Sequence, residues 1–333
     1  DPTAGIVINE DAALAAVGLT ELEAETAFAK CLVENSAFKV EAINEIKGQM
    51  IKKSGLMEIW EAVDVSAVGG LQVLKDWLEK RRTAWAPGNE HLPKVRAILL
   101  FGVPGSGKSL VSKALAKIFN RMLIRMNISD LKNSLVGESE RRAREATRIV
   151  DAMGQSVVWW DEVEKALGGV KSGAQTGDTT TSMFGHFLTW MEERTSDSII
   201  VATANNIQAL PPEFIRRFDQ VFFCDLPTES ERAAILDIQS AKYDTKYVGA
   251  TVDIIDALKG YTGAEIEKVV KESLFDGWDN AVKSVSPISR TMKDDIDTLR
   301  NWAKKNQAII ANSPEVPSTT IRTISIKENM RAA

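Results

Sequence analysis

Cysteine and histidine are scarce in this sequence, with two of each in 333 residues. Cys31 and Cys224 lie far apart, each inside an apolar run. They offer no disulfide framework and read as buried thiols suited to a reducing compartment. His91 and His186 have no second ligand at metal-site spacing, which leaves a zinc site unsupported. No uninterrupted apolar run approaches the ~20 residues a membrane helix needs. The net charge of −5 works against a dedicated nucleic-acid binder, which concentrates Lys and Arg. The start, Asp1-Pro2-Thr3, has neither signal nor transit character and suggests a trimmed chain or a piece of something longer.

What is present suits a globular protein of two or three domains, with 44% hydrophobic and 26% charged residues. From Asp11 to about Trp60 the pattern is helical. Ala24, Ala27, Phe28, Cys31 and Leu32 recur at steps of three and four, and Thr20 with Glu23 reads as a capping box. A second amphipathic stretch carries Ile43, Ile46, Met50 and Ile51. From Ala97 short apolar runs alternate with helical stretches: 97–101, 122–124, 157–160, 199–202 and 221–223. That alternation predicts an α/β fold with a parallel sheet covered by helices on both faces. After Pro227 only helical patterns remain, at 230–239, 252–258, 264–282 and 292–308, which predicts an all-helical second domain. The expected division is 1–59 helical, 60–226 α/β, 227–310 helical and 311–333 a flexible tail. Within that tail, 319–326 is a β-branched run. Residues 168–181, rich in Gly, Ser and Thr, read as a mobile loop.

The chemistry concentrates at Gly102-Val103-Pro104-Gly105-Ser106-Gly107-Lys108-Ser109, which satisfies the P-loop pattern between an apolar strand and a helix. Glycines let backbone N–H groups turn inward on phosphates, and the helix N-terminus adds its positive dipole end. Lys108 would contact the β- and γ-phosphates, and Ser109 would ligate Mg2+. Chance supplies such a match in about one chain per hundred of this length, given ordinary Gly usage, so its placement after a strand decides the matter. About fifty residues on, Val157-Val158-Trp159-Trp160 ends in Asp161-Glu162. Acids at the carboxyl end of a parallel strand face the ligand crevice. Asp161 would serve the metal, and Glu162 would take a proton from the attacking water. The bland alternative is a pair of acids at a solvated helix start. Asn205 follows the next apolar run and suits a water-orienting amide, though Asn is also a common turn residue. Arg216-Arg217, after that run, suit an arginine finger supplied to a neighbouring subunit, worth roughly 10³–10⁵ in rate. Their bland alternative is a pair of surface salt bridges.

Taken in order, these residues resemble the AAA+ ATPases, specifically the clade of valosin-containing protein, NSF, FtsH and katanin. The resemblance runs from about Val68 to Val282. It implies ATP and Mg2+ as cofactors, with nucleotide contacts at Val68, Gly69, Pro104 to Leu110, Gly263 and Ala264, and metal contacts at Ser109 and Asp161. Val68-Gly69-Gly70-Leu71 looks like the stretch that meets the adenine, and Tyr261-Thr262-Gly263-Ala264-Glu265 like the start of the lid helix. Leu135-Val136-Gly137-Glu138-Ser139-Glu140 looks like the first pore loop. Leu135 stands where an aromatic residue usually grips a threaded peptide. The finger loop is shorter than the clade's usual form. Arg217, directly before Phe218-Asp219, is the favoured finger, with Arg216 left open. Further motifs, among them Phe187-Leu188-Thr189-Trp190 and Pro287-Ile288-Ser289-Arg290, resemble a little-characterised subfamily of bacteria, cyanobacteria and red-algal plastids known as hypothetical plastid reading frames.

The resemblance implies a ring, expected to be a hexamer of this chain, that hydrolyses ATP to remodel a protein client. The expected location is cytoplasmic, or the plastid stroma in a photosynthetic host, with neither membrane nor nucleic acid as partner. An ATP-gated recruitment module without threading is the alternative, and a DNA-loading ATPase a more distant one. Residues 11–32 also align with 253–274, pairing Gly18 with Gly260, Thr20 with Thr262 and Glu23 with Glu265. The N-terminal helices are therefore expected to be the lid of a preceding AAA-like domain.

Overall fold

The computed structural model describes residues 16, 21–35, 40–132, 138–167, 177–243 and 252–314. The five expected apolar runs are strands: β2 (Ala97–Gly102), β3 (Met122–Met126), β4 (Ser156–Trp160), β5 (Ile199–Ala204) and β6 (Gln220–Cys224). Two short strands were not read from the sequence: β1 (Met57–Trp60) and β7 (Ile309–Ile310). The sheet order is β1-β3-β4-β5-β2-β6-β7. β3 with β4, β4 with β5 and β5 with β2 are parallel, with Ile124 opposite Val158 and Leu99 opposite Ala202. β1 runs antiparallel on β3, with Glu58 opposite Arg125. β2, β4 and β5 are buried along their whole length. A parallel strand covered on both faces has no polar side, so it reads as a continuous apolar run.

The chain forms two compact units: Asp1–Val65, Leu78–Phe101 and Lys108–Phe222 in one; Ser66–Trp77, Gly102–Gly107 and Phe223–Ala333 in the other. In the first unit, Trp160 stacks on Phe214 with centroids 6.3 Å apart and meets Phe187 edge-on at 5.3 Å. Phe218 adds an edge contact to Phe214 at 5.1 Å. This aromatic cluster ties the end of β4 to helix Gly177–Glu193 and to the turn that carries the two arginines. Asp219 fixes the far side of that turn, accepting the Arg96 and Ala97 N–H groups at 2.6 and 2.9 Å.

The second unit packs Leu236, Leu258, Tyr261, Ile266, Val269, Val270 and Ala281 into its own core. The Tyr261 hydroxyl donates to the Val282 and Val285 carbonyls, each at 2.9 Å.

Four expectations need correction or relocation. Residues 57–60 are an edge strand rather than the end of a helical stretch, and four residues are too few to show a period. Strands do not stop at Pro227, because Ile309–Ile310 adds a short one. The stretch 264–282 is two helices, broken where Gly277 adopts φ +75°. Of the loop expected over 168–181, residues 177–181 are helical and 168–176 lie outside the described residues. Leu135, Val136, the segment 319–326 and Gly18 to Thr20 lie outside the described residues. Cys31 and Cys224 are both buried and form no disulfide. Among the described residues no helix is long and apolar enough to cross a membrane.

Candidate functional site

The first unit gathers the acids. Thr203, the lone polar side chain of the buried β5 run, donates through Oγ1 to Asp161 Oδ1 at 2.7 Å and receives the Glu162 N–H at 3.0 Å. Ser109, opening helix Lys108–Ile118, donates to the same Oδ1 at 3.3 Å. The Asn205 amide donates to Glu162 Oε1 at 3.0 Å, and its backbone N–H reaches Glu164 Oε1 at 2.9 Å. Glu162 has φ +49°, a left-handed backbone that costs on the order of 1 kcal/mol for a residue with a Cβ. The Thr203 bond holds that turn. Burial pushes the Glu164 carboxyl up from its ordinary value. Lys165 pairs with Glu162 at the surface, where solvent screening leaves such a pair little stabilising weight. Lys108 is buried and Leu110 half-buried.

Arg216 and Arg217 differ. Arg217 pairs with Glu192 at 3.0 Å and is partly covered, so for Arg217 the salt-bridge reading describes the single chain. Arg216 is exposed and makes no ion pair among the described residues.

The second unit holds the glycine loop by backbone fit. Gly102, Gly105 and Gly107 all have positive φ, between +79° and +146°. A Cβ on Gly102 would stand 2.0 Å from the Cys224 carbonyl oxygen, and one on Gly105 would stand 2.9 Å from Thr262 Oγ1. The Val103 N–H donates to Cys224 O at 3.1 Å, and the Ala264 N–H donates to Gly105 O at 3.2 Å. Gly105, Gly263 and Ala264 therefore meet. Thr262 and Glu265 cap the helix reciprocally at 3.4 and 2.8 Å. Half-buried Pro104 continues the loop, and Ser106 Oγ is buried with no partner among the described residues. Val68 is buried, and Gly69 packs so closely on Ile235 that a Cβ would fall 2.6 Å from it.

Glu231 of the second unit has a role that its local sequence does not mark. Its buried carboxylate accepts the Leu71 N–H at 2.8 Å, Thr228 N–H at 3.1 Å, Asn312 Nδ2 at 2.7 Å and Ser313 N–H at 2.9 Å. It thereby holds the turn after Gly69. The spacing Thr228 to Glu231 carried a capping-box signal, but nothing local marked the carboxylate as buried. Thr203 was also missed, although a single hydroxyl inside an apolar strand is visible in the sequence.

The donor chemistry suits Mg2+. Ser109 and Asp161 offer hard oxygens, and no group of three or more His, Cys, Asp or Glu forms a metal cage among the described residues. Mg2+ accepts such a sparse protein set when phosphates and water complete its shell.

Residues 98–226 match the model of the ATPase family associated with various cellular activities, AAA. The chain carries an AAA ATPase domain. Its homologues include ycf46 proteins, described as uncharacterized AAA domain-containing proteins. That of Pyropia yezoensis is 35% identical over 80% of this chain and 58% of its own length. That of Guillardia theta is 32% identical over 90% of this chain and 63% of its own length. The chain thus spans about six tenths of these curated relatives' length. The crystal structure of the FIGL-1 AAA domain in complex with ADP shares the fold, with TM-score 0.60 and 20% identity over 79% of this chain and 97% of that one. Residues 9–54 match a separate model, the second domain of SpoVK-like AAA ATPases. The AAA domain implies nucleotide binding, consistent with the glycine loop and the acids at the end of β4.

Proposed function

We propose that this chain is a ring-forming AAA ATPase that couples Mg-ATP hydrolysis to remodelling of a protein partner. The observation that carries this reading is the constellation at the ends of β4 and β5: Ser109, Asp161, Glu162, Thr203 and Asn205 in one hydrogen-bonded set. ATP supplies the phosphoanhydride bond that is broken. The loop 102–107 and Lys108 bind its phosphates, and Ser109 and Asp161 serve the metal. Glu162 takes the proton of the attacking water on its carboxylate, while the Asn205 amide orients that carboxylate. Hydrolysis then shifts the helical second domain as the bound phosphates change, the mechanical output common to such switches.

An arginine lent to a neighbouring subunit has to be exposed in the single chain. Arg216 meets that requirement as it stands, whereas Arg217 has first to release Glu192. Exposure thus favours Arg216 and the place directly before Phe218-Asp219 favours Arg217, so both stand as candidates for the finger. ATP turnover against protein concentration, for wild type, Arg216→Ala and Arg217→Ala, tests the ring. The expected result is specific activity that rises with concentration and collapses in one variant. Concentration-independent activity in all three contradicts shared catalysis.

For residues 9–54 we infer a lid of a preceding AAA-like domain, supported by the separate family model they match. If an experimental structure of 12–32 does not superpose on the lid helices around Gly263, that reading is wrong.

A further inference from the structure

An arginine in the middle of a sheet strand is costly unless something uses its charge. Arg125 occupies such a place in Met122-Leu123-Ile124-Arg125-Met126. Its Nη2 stands 3.9 Å from Asp161 Oδ2, and its Nη1 stands 3.7 Å from Glu58 on β1. Trp60 and Trp159 flank the guanidinium at 5.1 and 5.5 Å, and the two rings meet edge-on at 5.5 Å. Lys113 lies over Trp60 at 4.3 Å. The Trp60 indole N–H donates to Glu58 at 2.9 Å, which holds that carboxylate toward the arginine. Arg125 Nε is buried with no partner among the described residues, so the group is held by its two ends and by the rings.

The two oxygens of Asp161 are thus differently engaged. Oδ1 takes the hydroxyls of Thr203 and Ser109, and Oδ2 faces a permanent positive charge. We propose that Arg125 is a positioning residue that acts as a stand-in counter-ion for Asp161. It steadies the carboxylate before Mg2+ arrives and lowers its affinity for the metal, so that Mg2+ enters with the nucleotide phosphates rather than ahead of them. Glu58, presented by β1, sets the strength of this effect by sharing the guanidinium. The proposal rests on Asp161 serving Mg2+, as proposed above. The bland alternative is a cross-strand Glu58–Arg125 pair that only stabilises the sheet edge. It predicts no effect on metal affinity.

The test titrates Mn2+, read from the electron paramagnetic resonance of the free ion, into the chain holding one equivalent of ADP. The variants are Arg125→Met, Glu58→Gln and Asp161→Asn. Methionine keeps the packing between the rings, and Glu58 is an exposed surface position that tolerates Gln. Arg125→Met is expected to tighten Mn2+ roughly tenfold, the scale of a screened repulsion between a single charge and a nearby divalent ion. Glu58→Gln is expected to weaken Mn2+ by about two- to threefold, because Arg125 then has Asp161 alone. Opposite shifts from two neighbours are not produced by loosening of the sheet edge. Unchanged or weaker binding in Arg125→Met overturns the proposal, as do shifts of the same sign in both variants. If Asp161→Asn binds Mn2+ as wild type does, the metal-ligand reading itself falls and takes the proposal with it. Failure to bind ADP in calorimetry overturns the nucleotide reading instead.

Discussion

The acids after β4 and the glycine loop after β2 are held in place by different physics. Asp161 and Glu162 are fixed by side chains: a hydroxyl from β5, another from Ser109, an amide from Asn205 and an aromatic cluster beneath. The glycine loop is fixed by what is missing. Its backbone packs on Cys224 O and on Thr262 because no Cβ intervenes, and its φ values suit only glycine without strain. A site of the first kind can lose one hydrogen bond and keep its shape. One of the second kind fails as soon as an atom is added.

Gly102→Ala sharpens that contrast most. The new Cβ would meet a backbone oxygen at 2.0 Å with φ +146°, and neither can move cheaply. A loss of about 3 kcal/mol or more is expected, seen as a lower denaturant midpoint. Gly88→Ala is the control, since it shares a positive φ but has nothing within 4 Å, and should cost only about 1 kcal/mol. Equal losses at the two positions would break the close-packing account.

Thr203→Val comes next. It keeps the shape but removes the bond to Asp161 and the acceptor for the Glu162 N–H. Stability should fall by about 1–3 kcal/mol, and on the proposed metal role of Asp161 turnover should fall by roughly 10–100-fold. Wild-type turnover in this variant would show that the acids do not depend on their hydroxyl.

The smallest effect concerns pH. Burial opposes ionisation of Glu267, but bonds from Lys242 at 3.0 Å, Lys271 at 3.1 Å and Tyr243 at 2.9 Å outweigh it and hold its pKa at about 2. The folded value lies below the ordinary 4.5, so the contribution is complete above pH 4.5 and lost as pH falls toward 2. Glu267→Gln should therefore flatten the acid limb of the stability profile in that window. An unchanged limb would show that the three donors do not stabilise the carboxylate.

The same contrast explains what the sequence made legible. The glycine loop and Asp161-Glu162 are contiguous and follow strong apolar runs, so a local pattern sufficed. Asn205 was readable from its order on the chain. The Thr203 hydroxyl stands out in its apolar run, but its role and that of Glu231 were not legible, because their partners lie 41 and 42 residues away for Thr203 and up to 160 for Glu231. β1 and β7 were hidden by brevity, with four and two residues. Arg125 was visible as a charge in an apolar strand, but its meaning depends on β1, which the sequence did not reveal. The adjacent arginines were found, yet only the fold separates the engaged Arg217 from the exposed Arg216.

The central claim is that Glu162 performs chemistry while the glycine loop performs binding. ATP affinity by calorimetry and ATP turnover, measured side by side for wild type and Glu162→Gln, test it most directly. The account predicts ATP affinity within about threefold of wild type and turnover lower by roughly 10²–10⁴. Turnover retained in Glu162→Gln, with ATP bound as before, would contradict it.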